Sequence, residues 1–67
     1  MTTTETTPAD HVALLLMAYR EVSTSDLRAL RCAFAWDGEK TTSVHTRRFC
    51  QERIRVISAV IGERGGA

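Results

Sequence analysis

The hydrophobic positions fall into three blocks separated by two polar breaks. Val12 to Tyr19 is an unbroken apolar run, with Asp10 and His11 before it and Arg20 after it. The preceding Thr7-Pro8-Ala9-Asp10 reads as a helix start: a capping hydroxyl, proline at the first helical position and an acid two residues later. The pattern predicts helix 1 over residues 8–21. Its apolar residues cover almost the whole circumference, so burial on more than one side is expected.

Val22-Ser23-Thr24-Ser25-Asp26-Leu27 carries the strongest local signal. Ser23 and Asp26 have capping-box spacing, and Val22 and Leu27 have hydrophobic-staple spacing. Helix 2 is predicted from Thr24 to about Trp36, almost directly after helix 1. Leu27, Leu30 and Phe34, with Ala33 beside them, make its apolar face, and Arg28 and Arg31 point away. Asp37-Gly38 is expected to stop it, with residues 39–42 as a polar loop. Helix 3 is predicted from about Ser43 to Gly62, with Phe49, Cys50, Ile54, Ile57, Val60 and Ile61 at helical spacing and Val56 at the edge.

The expected fold is therefore all-α: a small three-helix domain with a long C-terminal helix. Residues 1–7 read as a disordered Thr-rich tail, 8–62 as one helical domain, and 63–67 as a frayed end. A rival layout, α-β-β-α, follows from reading Asp37-Gly38 as a two-residue hairpin turn. Leu30, Cys32, Phe34 and Trp36 alternate with Arg31, Ala33 and Ala35, and residues 41–46 are rich in β-formers. Ala29, Ala33 and Ala35 favour the helix, and so does the Ser23 cap, which would otherwise have no helix to serve.

Length now matters. The chain has 67 residues. A domain of this size buries only about 60% of its unfolded surface and is marginal alone. Small chains compensate with disulfides, a metal, very good helix packing or a partner subunit. Helix 3, at roughly 30 Å, should overhang its neighbours by up to about two turns and leave Ile57, Val60 and Ile61 bare. Helix 1 adds more apolar surface. A homodimer follows as the expected arrangement, with Leu15, Leu16, Tyr19, Ile54, Ile57 and Ile61 as contact residues. Trp36 is expected as a core plug near the end of helix 2.

Charge is nearly balanced overall, at +1, but unevenly placed. Residues 1–39 hold three Arg against six acids, and residues 40–55 hold Lys40 and four Arg against Glu52. Helix 3 is expected to find its counter-charges on helices 1 and 2, within a subunit or across a dimer. Arg53 falls beside the Phe49–Val56–Val60 seam, where its stem can pack while its guanidinium reaches an acid.

Candidate chemistry is sparse. Cys32 and Cys50 read as buried thiols on or beside the apolar faces rather than a disulfide, since two Cys build no multi-bridge framework. His11 and His45 are not at ligand spacing from a Cys, so no metal or other cofactor is expected. Cys50 and His45 stand five apart, on different faces of a helix, and no glycine-rich loop precedes a helix. The chain is not expected to be an enzyme. It reads as cytoplasmic: its start lacks the basic side chain of a secretory signal, and an eight-residue apolar run is far short of a membrane span.

The leading expectation is a small non-catalytic module or regulator that binds another protein, including its own copy. The alternative is a helix-turn-helix-like DNA binder reading with Ser43, His45, Arg47 and Arg48 at the start of helix 3. Two features count against it: the predicted connection exceeds the usual 3–4 residues, and cationic contacts dominate DNA affinity in a way that near-neutral charge does not favour.

Overall fold

A computed structural model describes residues 8–65. The fold is all-α, with three helices and no strand among the described residues: α1 (Pro8–Arg20), α2 (Thr24–Lys40) and α3 (Val44–Glu63). The expected tail at residues 1–7 lies outside the described residues.

The predicted starts form as local chemistry dictates. Ser23 stands at the N-cap of α2 in extended conformation, and its Oγ accepts from the Asp26 backbone N–H at 3.1 Å. Ser43 does the same for α3, accepting from Thr46 N–H at 3.2 Å. Each cap satisfies one of the backbone donors that a helix start leaves without an intrahelical partner. Val22 packs on the core that holds Leu27, as a staple requires.

The end of α2 differs from the sequence expectation. The helix continues through Asp37-Gly38 to Lys40, closed by Thr41 N–H donating to Asp37 O at 3.0 Å. Gly38 does not take the positive φ that a hairpin turn of this kind needs, so the α-β-β-α layout is not formed. Gly38 instead lies inside the helix facing α3, where a Cβ would stand 3.4 Å from Cys50 Cβ. The connection to α3 shrinks to Thr41, Thr42 and Ser43. Arg47 Nη2 closes it by donating to Thr41 O at 3.1 Å, and Ser43 N–H donates to Thr41 Oγ1 at 3.1 Å.

α3 is the common partner. It packs against α2 and against α1, and α1 and α2 scarcely touch one another. Gly38 meets Cys50 near one end of α2, and Thr24 Oγ1 accepts from Arg64 Nη1 at 2.9 Å at the other. α2 and α3 are thus antiparallel along their full lengths. His11 lies beside Glu52 and Arg20 beside Glu63, so α1 runs parallel to α3. The result is a slab, 43 × 32 × 13 Å, with α3 between the other two helices.

The core lies in the C-terminal half of α3. Ile57, Val60 and Ile61 are fully sheltered with Leu27, and Leu16, Tyr19, Val22 and Phe34 pack around them. The expected overhang of bare Ile57, Val60 and Ile61 therefore does not exist. The tight corner at residues 21–23 folds α1 and α2 back along this half of the helix. Order also runs past Gly62. Arg64 caps α3, Gly65 takes a left-handed φ of 73°, and Arg64 Nη2 donates to Arg20 O at 2.9 Å, tying the end of α1 to the end of α3.

Two stability outcomes follow. Ile57→Ala should cost about 2–5 kcal/mol in urea unfolding, since it opens a cavity in the only fully buried cluster. Gly38→Ala should raise stability by about 0.5–1 kcal/mol, because a methyl meets Cys50 at ordinary contact distance while helix propensity improves. Gly38→Val should instead lower it by about 1–3 kcal/mol by overfilling the same contact.

Candidate interaction surface

The slab leaves several large apolar side chains uncovered. Among the described residues six apolar side chains are buried, while seven large ones are exposed: Val12, Leu14, Met17, Leu30, Trp36, Val44 and Phe49. Large exposed apolar groups outnumber the buried ones among the described residues.

The expected contact residues divide. Ile57 and Ile61 are 0% and 1% exposed, and a partner cannot reach them. Leu16 and Tyr19 are half-buried against the same cluster. Leu15 and Ile54 are also half-buried. The outward residues of α1 are Leu14 and Met17, three apart and more than half exposed. The signal that could have found them is the set Leu15, Leu16 and Tyr19, whose i, i+1, i+4 spacing marks the inner face and leaves Leu14 and Met17 off it.

α2 departs from expectation in the same way. Leu27 and Phe34 face α3, whereas Leu30 and Ala33 are exposed. Val22, Ala29, Leu30 and Ala33 line a shallow apolar depression on its outer side, with Asp26 at the edge. Trp36 is not a core plug: it is 62% exposed, and Lys40 Nζ sits 4.6 Å from its ring centroid, one turn along. Cys32 is exposed and Cys50 buried, and both are free thiols, so the pair of buried thiols expected from sequence is half right. The reason is one of phase. Cys32 lies off the Leu27–Phe34 stripe that meets α3, whereas Cys50 faces Gly38.

Polar pairing is thin. Two ion pairs exist among the described residues: His11 Nε2–Glu52 Oε1 at 3.3 Å, ionic only when the imidazole is protonated, and Arg20–Glu63. Arg20 grips Glu63 with both prongs, Nε to Oε1 at 3.0 Å and Nη2 to Oε2 at 2.6 Å. The hydrogen-bonded guanidinium holds the Glu63 carboxyl below its usual range, and the carboxylate raises Arg20 in turn. Arg47, Arg48, Arg53 and Arg55 of α3 take part in neither of these two pairs. Arg53 stacks over Phe49, 4.5 Å from its centroid, rather than reaching an acid, and its buried Nε has no hydrogen-bond partner. Phe49 in turn meets Phe34 edge to face at 6.0 Å.

The residues of the DNA-binding alternative are also placed. Ser43 and Arg47 hold the turn, as described above, while His45 and Arg48 are exposed. The three-residue connection suits a helix-turn-helix, but α2 and α3 form an antiparallel hairpin rather than the steep crossing of that motif.

Between α2 and α3 runs a second feature, a groove of about 450 Å³. Phe34, Ala35, Cys50 and Ile54 form its floor, and Glu39, Arg47 and Gln51 its walls. No group of three His, Cys, Asp or Glu that could hold a metal occurs among the described residues. No helix is long and apolar enough to cross a membrane. No family model matches the chain, and neither the curated proteins nor the solved structures contain a match.

The Arg20–Glu63 clamp has a pH signature. Because the folded-state carboxyl is held low, its contribution is complete above the ordinary glutamate range and is lost as pH falls below that range through the lowered value. Glu63→Gln should remove that part of the acid destabilisation in thermal melts recorded across pH, leaving the neutral-to-alkaline profile unchanged in shape.

Proposed function

We propose that this chain is a small non-catalytic protein-interaction module that works as a homodimer. The observation that carries the reading is the excess of large exposed apolar side chains over buried ones. A slab that closes its core with a few residues of one helix leaves most of α1 and the outer side of α2 without cover.

The contact set differs from the one expected from periodicity alone. Leu14 and Met17 on α1 are its centre, with Leu30 and Trp36 on α2 as further anchors, because these are the aliphatic and aromatic groups that face water. A two-fold mate is the simplest cover, since an isologous contact sets the same patch against itself. Trp and Met are also well suited to interface cores, where aromatic and flexible apolar groups are enriched.

Sedimentation equilibrium tests this directly. The unaltered chain should sediment as a dimer at tens of micromolar. Met17→Glu, alone or with Leu14→Glu, should shift it to monomer while far-UV circular dichroism keeps its helical signal, because both side chains already face solvent within one chain. A folded monomer of the unaltered chain at high micromolar concentration would remove the proposal.

A further inference from the structure

We propose that the groove between α2 and α3 is a docking site for an acidic amphipathic helix of a partner protein. The proposal goes beyond self-association and does not rest on it.

The arginines define the site. Arg28 and Arg31 stand three apart on α2, and Ala35 of the groove floor follows one turn after Arg31. On α3, Arg48, Gln51, Arg55 and Ser58 follow each other at spacings of three and four, so they share one stripe, and Gln51 is in the groove wall. Arg31 Nη1 reaches Ser58 Oγ at 3.5 Å across the gap, which places the two stripes on the same side of the slab. Arg47 lies in the wall itself. Arg47 therefore lines the apolar trough together with Glu39, while Arg48 and Arg55 share the stripe of Gln51 beside it and Arg28 and Arg31 stand further along the same side.

Arg31 and Arg47 are engaged with Ser58 Oγ and the Thr41 carbonyl, but the other three, Arg28, Arg48 and Arg55, are exposed and form no ion pair among the described residues. Like charges held this close raise the energy of the unbound state and lower it on meeting carboxylates, which a planar guanidinium can grip with two hydrogen bonds. The trough runs along two antiparallel helices and has room for aliphatic side chains over Phe34, Ala35 and Ile54. An amphipathic helix supplies both requirements together: an apolar row at i and i+4 for the floor, and acids on its flanks for the arginines.

A nucleic-acid backbone satisfies only the second requirement. It would leave the apolar floor unfilled. The stripe also lies on the side of α3 opposite Phe49 and Arg53, so occupancy is independent of the apolar groups that face the other way.

The probe is a fluorescein-labelled synthetic peptide of about 18 residues, some five turns, built from Leu, Ala and Glu in amphipathic helical register. Fluorescence anisotropy against the full chain should show saturable binding. Arg48→Glu with Arg55→Glu should weaken it at least about tenfold while leaving the helical signal intact. Ala35→Glu, which puts an acid on the floor, should weaken it similarly. A peptide of the same composition in shuffled order should bind at least about tenfold more weakly, since it keeps the charge and loses the apolar row. Met17→Glu should bind as the unaltered chain does, because the groove belongs to one copy. No saturable binding at low salt would overturn the proposal, as would equal binding of the shuffled peptide, indifference to the arginine changes, or loss in Met17→Glu. Tighter binding to duplex DNA or to phosphatidylserine vesicles than to the peptide would also overturn it, by assigning the arginines to phosphates.

Discussion

The contact of Leu27 with Ile57, Val60 and Ile61 holds this molecule together, because among the described residues it is where all three helices share buried surface. α3 supplies three of those four side chains. α2 supplies the fourth, and α1 adds Leu16 and Tyr19 at the edge. Since α1 and α2 scarcely meet, neither has another element to lean on, and displacement of this half of α3 releases both. The polar groups at the same end reinforce it. Arg64 bridges the last carbonyl of α1 to the first hydroxyl of α2, and Arg20 binds the last helical residue of α3. Those contacts are exposed and fix direction more than they add stability.

A core confined to one end has consequences at the other. Beyond Phe34 and Phe49, α2 and α3 are joined by the Gly38–Cys50 approach and by the turn that Arg47 closes. The two helices draw close there with little to bury, and the gap between them becomes the groove. The same arrangement strands the cations. An arginine on the N-terminal half of α3 has α2 for a neighbour, and the acids of α2 that lie nearest, Asp37 and Glu39, form no ion pair with it. Apolar excess and cationic excess are thus two results of one geometry. A slab has a large surface for its volume, and 67 residues cannot cover both sides of it.

Local chemistry made much of this legible in advance. Ser23 and Ser43 each start a helix because a hydroxyl three residues ahead of an unpartnered amide satisfies it, whatever surrounds the helix. Helix number, helix order and the apolar stripe of α3 follow from spacing in the same way. Asp37-Gly38 misled because a glycine reads identically as a turn residue and as a helix position facing a neighbour. Only the position of Cys50 across the gap distinguishes the two. Trp36 and Cys32 misled for a related reason: an apolar residue on a helix says that it can be buried and not that anything arrives to bury it.

The sequence by itself determined where each helix begins and that the fold is all-α. These rest on interactions within a few residues. Tertiary structure alone decided which apolar residues are used internally and which face water. Ile57 and Ile61 go inward while Leu14, Met17 and Trp36 go outward, because that choice depends on the angle at which α1 and α2 return along α3. It also decided that the arginines of two separate helices share one side. A corner of three residues sets those angles, and no periodicity along the chain records them.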